Sequence, residues 1–172
     1  DTIDNADVRR GRATLSSMQG AEVAVLVGDF LFAASAVKVC DTQNIRVIRH
    51  FSETIMDLSS GQLTERFMVN DWQQTMDQYM ERIYKKTGSL FATASESGAV
   101  LSGADETTIQ LMRNFGENLG TAFQVVDDIL DFEGTAAEVG KPVGNDLSSG
   151  TLTLPALLLV EQYPENNPVI AL

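Results

Sequence analysis

Apolar residues along this chain recur at helical spacing almost from end to end. The stretch from Ala21 to Cys40 is rich in alanine and apolar on most faces, which predicts a buried helix. Ile45, Ile48, Ile55, Met56 and Leu58 outline a second helix that ends near Ser59 to Gly61. Asp71 is placed to cap a third, in which Trp72, Met76, Tyr79, Met80 and Ile83 recur. Lys85 to Leu101 carries small residues and Gly88, and predicts a separate, closely packed helix. Asp105 then caps a long one, where Ile109, Met112, Phe115, Leu119, Phe123, Val126 and Leu130 form one stripe spaced three or four apart. Gly134 to Gly150 is rich in glycine and small polar residues and predicts a loop. Pro155 suits the first turn of a last helix, which ends before Pro164. No strand pattern and no repeat of fixed period interrupts this. The pattern predicts a single all-α domain, a helical bundle.

Composition narrows the picture. The chain has 172 residues, enough for one domain with a sizeable core, and its 44% apolar and 21% charged content argues against disorder. A net charge of −12 disfavours a nucleic-acid or anionic-membrane surface. Cys40 and His50 are the single cysteine and the single histidine, so no disulfide forms within the chain and a His/Cys zinc site is disfavoured. A reducing compartment is compatible with this, and a cytoplasmic location is the expectation. The first residues are polar and charged and show no signal peptide. The longest apolar stretch, Ala24 to Val37, is interrupted by Asp29 and followed by Lys38, so a soluble protein without a transmembrane segment is expected.

One apolar run carries unexpected charge. In FQVVDDILDFEG, Phe123 to Gly134, three carboxylates fall within five positions: Asp127, Asp128 and Asp131. On a helix Asp127 and Asp131 share a face, with Asp128 beside them. Carboxylates are good ligands for hard cations, and Mg²⁺ characteristically takes one or two of them and completes its octahedron with water and phosphate oxygens. Taken alone, the motif is equally compatible with a solvated acidic face. The chain also opens on acids, DTIDNADVRRG, where Asp1 and Asp4 share a face if helical and Arg9-Arg10-Gly11 follow. Guanidiniums offer planar, fixed-charge forks for phosphate oxygens. Two acidic patches and adjacent arginines together suggest a diphosphate held between facing helices.

These residues resemble a family, the trans-isoprenyl diphosphate synthases (polyprenyl synthetases), which join isopentenyl diphosphate to an allylic diphosphate. The family's second aspartate-rich motif is present in full as DDILD. Its first, followed by R-R-G, is matched by DTIDNADVRRG without the leading Asp. Gly28-Asp29, Gly61-Gln62, KTGSLF from Lys86, and GKPVGNDLSSGTLTLP from Gly140 to Pro155 follow in the expected order, so the resemblance spans essentially the whole chain.

The resemblance implies a class I terpenoid synthase fold and an Mg²⁺-dependent prenyltransferase acting on allylic and isopentenyl diphosphates. By it, Asp1 and Asp4 on one side, and Asp127 with Asp128 and Asp131 on the other, hold Mg²⁺. Arg9 matches an allylic-diphosphate arginine and Arg10 one facing isopentenyl diphosphate, while Lys86 and Lys141 match lysines on the allylic diphosphate. Thr87 and Gln124 match positions whose oxygens lie near the developing allylic cation. The same resemblance implies a homodimer. It also implies the middle of a longer synthase, because family members extend further at both ends and carry a Lys/Arg set before the first motif. Thr151 stands where many members have Lys. The alternatives are a non-catalytic subunit of a heteromeric synthase, an inactive fragment, or a related terpene cyclase. The intact DDILD and the R-R-G favour chain elongation.

Overall fold

The computed structural model describes residues 2–3, 6–9, 11–134, 143–163, 165, 167 and 169. A short antiparallel hairpin, β1 (Val8–Arg9) and β2 (Arg12–Ala13), precedes the helices, with Gly11 at φ +72° in its turn. This hairpin is the one strand pairing among the described residues and was not predicted. Thr14 then caps α1 (Leu15–Gln19), and Gly20, at φ +89°, separates it from α2 (Ala21–Cys40). The bounds of α2 are those predicted, but its expected burial is not observed: none of its residues is buried. Leu26, Phe30 and Leu31 are among its most exposed side chains. By length and composition α2 could also cross a membrane, the only such helix among the described residues.

Asn44 caps α3 (Ile45–Phe67) by accepting from the amides of Arg46 and Val47. The helix continues through Gly61, six residues beyond its predicted end, because that glycine lies buried against the backbone of Lys85 and Lys86. A Thr75–Gln78 capping box starts α4 (Met76–Ile83), so Asp71 and Trp72 lie before the helix rather than in it. There is no break at Gly88: α4 runs through a π-helical turn (Tyr84–Gly88) directly into α5 (Ser89–Leu101). Asp105 caps α6 (Glu106–Glu133) as predicted. A single helical turn, α7 (Asn145–Ser148), and then α8 (Leu154–Gln162), with Pro155 in its first turn, complete the bundle.

The core gathers Tyr79 and Ile83 of α4 with Leu152, Ala156, Leu157 and Val169. At the other end of the bundle Glu96 of α5, only 1% exposed, joins three helices. Arg46 and His50 of α3 and Arg113 of α6 all contact its carboxylate, at 2.7–3.2 Å. Arg46 also pairs with Glu106 at the start of α6. Burial alone would raise the pKa of Glu96, but hydrogen bonds from Arg113 and Arg46, with His50 nearby, hold it below the ordinary glutamate range.

On α6 the apolar stripe is not the buried face. Ile109 is buried, but Phe115, Leu119, Phe123 and Val126 are each close to half exposed or more. The residues turned inward are Gly116, Gly120, Asp128 and Asp131.

Candidate active site

Three glycines bring the helices of the site into backbone contact. A methyl group at Gly61 of α3 would stand 2.9 Å from the Lys86 amide. One at Gly120 of α6 would stand 2.8 Å from the Cα of Gly88, and one at Gly116 would collide with the Phe91 carbonyl. Only hydrogen fits at these points. The π-turn lies between α3 and α6, and turns of this kind recur at functional sites because they widen a helix locally. Here it carries Lys86 toward α3 and Thr87 toward α6.

Lys86 places its ammonium on Glu65 of α3, 2.6 and 2.8 Å from the two carboxylate oxygens. Gln62 donates to the same Glu65 at 3.2 Å. Thr87 donates its hydroxyl to Gln124 Oε1 at 2.7 Å, and Gln124 Nε2 donates to Asp128 Oδ1 at 2.9 Å. The other oxygen of Asp128 accepts the Tyr79 hydroxyl at 2.8 Å. Burial pushes the Asp128 pKa up, opposed by these two donors and by the Arg82 guanidinium; burial and the Asp128 charge push the Tyr79 phenol up. Arg82 is itself 3% exposed and donates to Gln74 Oε1 and the Leu152 carbonyl. Burial lowers its pKa, while Glu65, Asp128, Tyr79 and Asp146 act in the other direction.

The three acids of DDILD therefore occupy different surroundings. Asp127 is partly exposed. Asp128 is 3% exposed with both oxygens accepting hydrogen bonds. Asp131 is fully buried and accepts the Asp146 amide at 3.0 Å, while its own carbonyl accepts the Gly144 amide at 2.7 Å. It ties the end of α6 to the start of α7. Arg9 lies exposed in β1. Asp1, Asp4, Arg10 and Lys141 lie outside the described residues.

No three acidic, histidine or cysteine side chains converge on a point suited to a metal among the described residues. Asp127 alone of the motif presents a carboxylate at an open surface. One open carboxylate fits a cation that takes few protein carboxylates and finishes its shell with phosphate oxygens and water. A cavity of about 490 Å³ lies elsewhere, bounded by Trp72, Phe132, Leu147 and nearby serines and glycines. Among the described residues no charged side chain lines it.

Tyr79, read from the sequence only as an apolar position of its helix, and Arg82 and Glu65 were not predicted as site residues. Glu65 falls one helical turn after Gly61 on the face that meets Lys86, a spacing that could have flagged it. Nothing local marks Tyr79, whose partner Asp128 is 49 positions away.

Known proteins share this fold. The model of the family described as "Polyprenyl synthetase" matches residues 1–171. A chloroplastic solanesyl-diphosphate synthase 2 of Oryza sativa subsp. japonica is 41% identical over 99% of this chain, which covers 42% of that protein. An octaprenyl diphosphate synthase of Haemophilus influenzae is 36% identical over 91% of the chain and is 48% covered. The crystal structure of heptaprenyl diphosphate synthase from Staphylococcus aureus superposes with a TM-score of 0.96 at 36% identity, over all of this chain and 54% of its own. The chain thus spans about half the length of the relatives it matches. With a family model covering nearly every residue and a shared all-α fold, the chain belongs to the polyprenyl synthetase family.

Proposed function

We propose that the polypeptide carrying this chain is an Mg²⁺-dependent trans-prenyltransferase that condenses isopentenyl diphosphate with an allylic diphosphate, giving a longer polyprenyl diphosphate. The observation that supports this most directly is the Thr87–Gln124–Asp128 hydrogen-bonded chain, whose members adjoin Lys86 and the partly exposed Asp127 in sequence.

Mg²⁺ held by Asp127, with Asp1 and Asp4, would supply the Lewis acid that stabilises a departing diphosphate. Lys86 has three ammonium hydrogens, and its pairing with Glu65 leaves capacity for a phosphate oxygen. Arg9, Arg10 and Lys141 add fixed positive charge for the two diphosphates. Thr87 and Gln124 offer oxygen dipoles to positive charge developing at the allylic carbon, and neither is a strong nucleophile that would capture it. Asp127 is three positions beyond Gln124, so one helical face serves both the diphosphate end and the carbon end of the primer.

The test is incubation of the full-length polypeptide with isopentenyl diphosphate, a graded series of allylic primers and Mg²⁺, followed by chain-length analysis. We expect a product ladder ending at a defined length, abolished by chelation of the metal and reduced on the order of 100-fold or more by Asp127→Ala. Equal product from Asp127→Ala, or no product with any primer, would sink the proposal.

A further inference from the structure

The DDILD motif invites one role for all three acids, yet the middle one faces away from any open surface. Asp128 has its two oxygens occupied, by the Tyr79 hydroxyl on one side and the Gln124 amide on the other. Both bonds run toward the carboxylate, which is the acceptor on each side. Gln124 must then turn its NH₂ toward Asp128 and its carbonyl toward Thr87, and the Thr87 hydroxyl commits its one hydrogen to that carbonyl. The chain Tyr79–Asp128–Gln124–Thr87 therefore has a fixed polarity. Its far end shows two oxygens 2.7 Å apart, Thr87 Oγ1 and Gln124 Oε1, with the only hydrogen of that hydroxyl directed between them.

We propose that Asp128 is a positioning residue and not a metal ligand: anchored by Tyr79, it sets the orientation of the Gln124 amide, so that Thr87 and Gln124 present lone pairs rather than hydrogens to the reacting carbon. This rests on the prenyltransferase reading above and adds the device that keeps its cation-facing oxygens correctly turned. Asp128→Asn keeps size and shape but reverses the polarity. While Tyr79 keeps donating as it does in the wild type, the Asn carbonyl takes that hydroxyl, its NH₂ faces Gln124, and Gln124 swings its own NH₂ toward Thr87. A donor then stands where positive charge develops.

The experiment compares full-length wild type, Asp128→Asn, Tyr79→Phe and Asp127→Asn by calorimetric titration with inorganic pyrophosphate, with and without Mg²⁺, and by steady-state kinetics. Asp128→Asn should keep the wild-type Mg²⁺-dependent affinity for pyrophosphate while kcat falls about 100-fold, the scale of a misdirected electrostatic contact. Tyr79→Phe should act in the same direction by about tenfold, since it removes one hydrogen bond and leaves the polarity in place. Asp127→Asn should lose the Mg²⁺-dependent binding itself. If Asp128→Asn weakens that binding as much as Asp127→Asn does, the inference is overturned while the functional reading stands. If the wild type binds no pyrophosphate with Mg²⁺, both are overturned. Circular dichroism melts establish that each variant is folded. Should Asp128→Asn not fold, Tyr79→Phe decides alone, and an unchanged kcat in that variant overturns the inference.

Discussion

Glu96 illustrates what a single buried charge requires. It lies almost wholly out of water and is compensated from three sides by Arg46, His50 and Arg113. Breaking a buried ionic cluster by removing one member costs about 3–5 kcal/mol. Arg46 and Arg113 keep about a third of their side-chain surface in water, so part of that loss is recovered by hydration. Glu96→Gln is expected to destabilise the fold by roughly 2–3 kcal/mol, read from chemical denaturation at neutral pH. Because the folded state holds Glu96 below its ordinary pKa of 4.5, this contribution is complete above that pH. It is lost as pH falls through the depressed value, and the gap between wild type and variant should close in acid. A gap that stays constant down to acid unfolding would show that Glu96 stabilises by packing instead. At this scale the sequence was legible where partners are near neighbours. Gln124, Asp127 and Asp128 lie within one turn and a half of helix, and the structure brings Gln124 onto Asp128. The ion cluster and the Tyr79–Asp128 bond join residues far apart in the chain, and no local periodicity encodes such pairs.

At the scale of the element, α5 and α6 show glycine doing what apolar residues were expected to do. The stripe from Ile109 to Leu130 predicted the helix correctly but not its buried face, since the close side of α6 is lined by Gly116 and Gly120 against Gly88, Phe91 and Ala92. Small residues let two backbones approach to where side chains cannot, and a periodicity scan weighted toward large apolar residues misses that face. Gly116→Ala and Gly120→Ala would each improve intrinsic helix propensity by about 1 kcal/mol. Both would meet backbone atoms or the Phe91 side chain, and overpacking of this kind costs about 1–3 kcal/mol. The clash with the Phe91 carbonyl should win clearly at Gly116, giving a lower melting temperature. Gly98, on α5 with open space where its methyl would go, is the contrasting case. Gly98→Ala should raise stability by up to about 1 kcal/mol. A stabilised Gly116→Ala would mean that the helices are less closely packed than described.

For the molecule as a whole, the largest departure from expectation is α2. A helix this apolar reads as core, yet no residue of it is buried, and among the described elements its main neighbours are α1 and α3. The apolar faces of α2 and α6 need cover from other polypeptide, in keeping with a chain that spans about half the length of its relatives. The family resemblance leads us to expect a homodimer, and we propose α2 as the face on which it forms. If so, Leu26→Glu with Phe30→Glu should shift the full-length protein from dimer to monomer in light scattering at micromolar concentration. A wild-type monomer, or an undisturbed dimer in the double variant, would remove α2 from that role. Fold class was legible at this scale because helical periodicity is a property of the chain alone. Burial depends on what surrounds each helix, and that is not written in the helix's own residues.

The π-turn has a geometric consequence of its own. Closing a turn with i→i+5 hydrogen bonds inserts one residue more than an α-helical turn holds, and each residue advances a helix by about 100°. α4 and α5, joined without a break by the turn, thus differ in phase. The first keeps Tyr79, Arg82 and Ile83 against the core, and the second keeps Ala92, Glu96 and Ala99 against α3 and α6. Were the phase uniform, one of these faces would have to turn from its partners. The surplus residue absorbs that mismatch within one turn, and it does so at Lys86 and Thr87, which are thereby released from the packing pattern on either side.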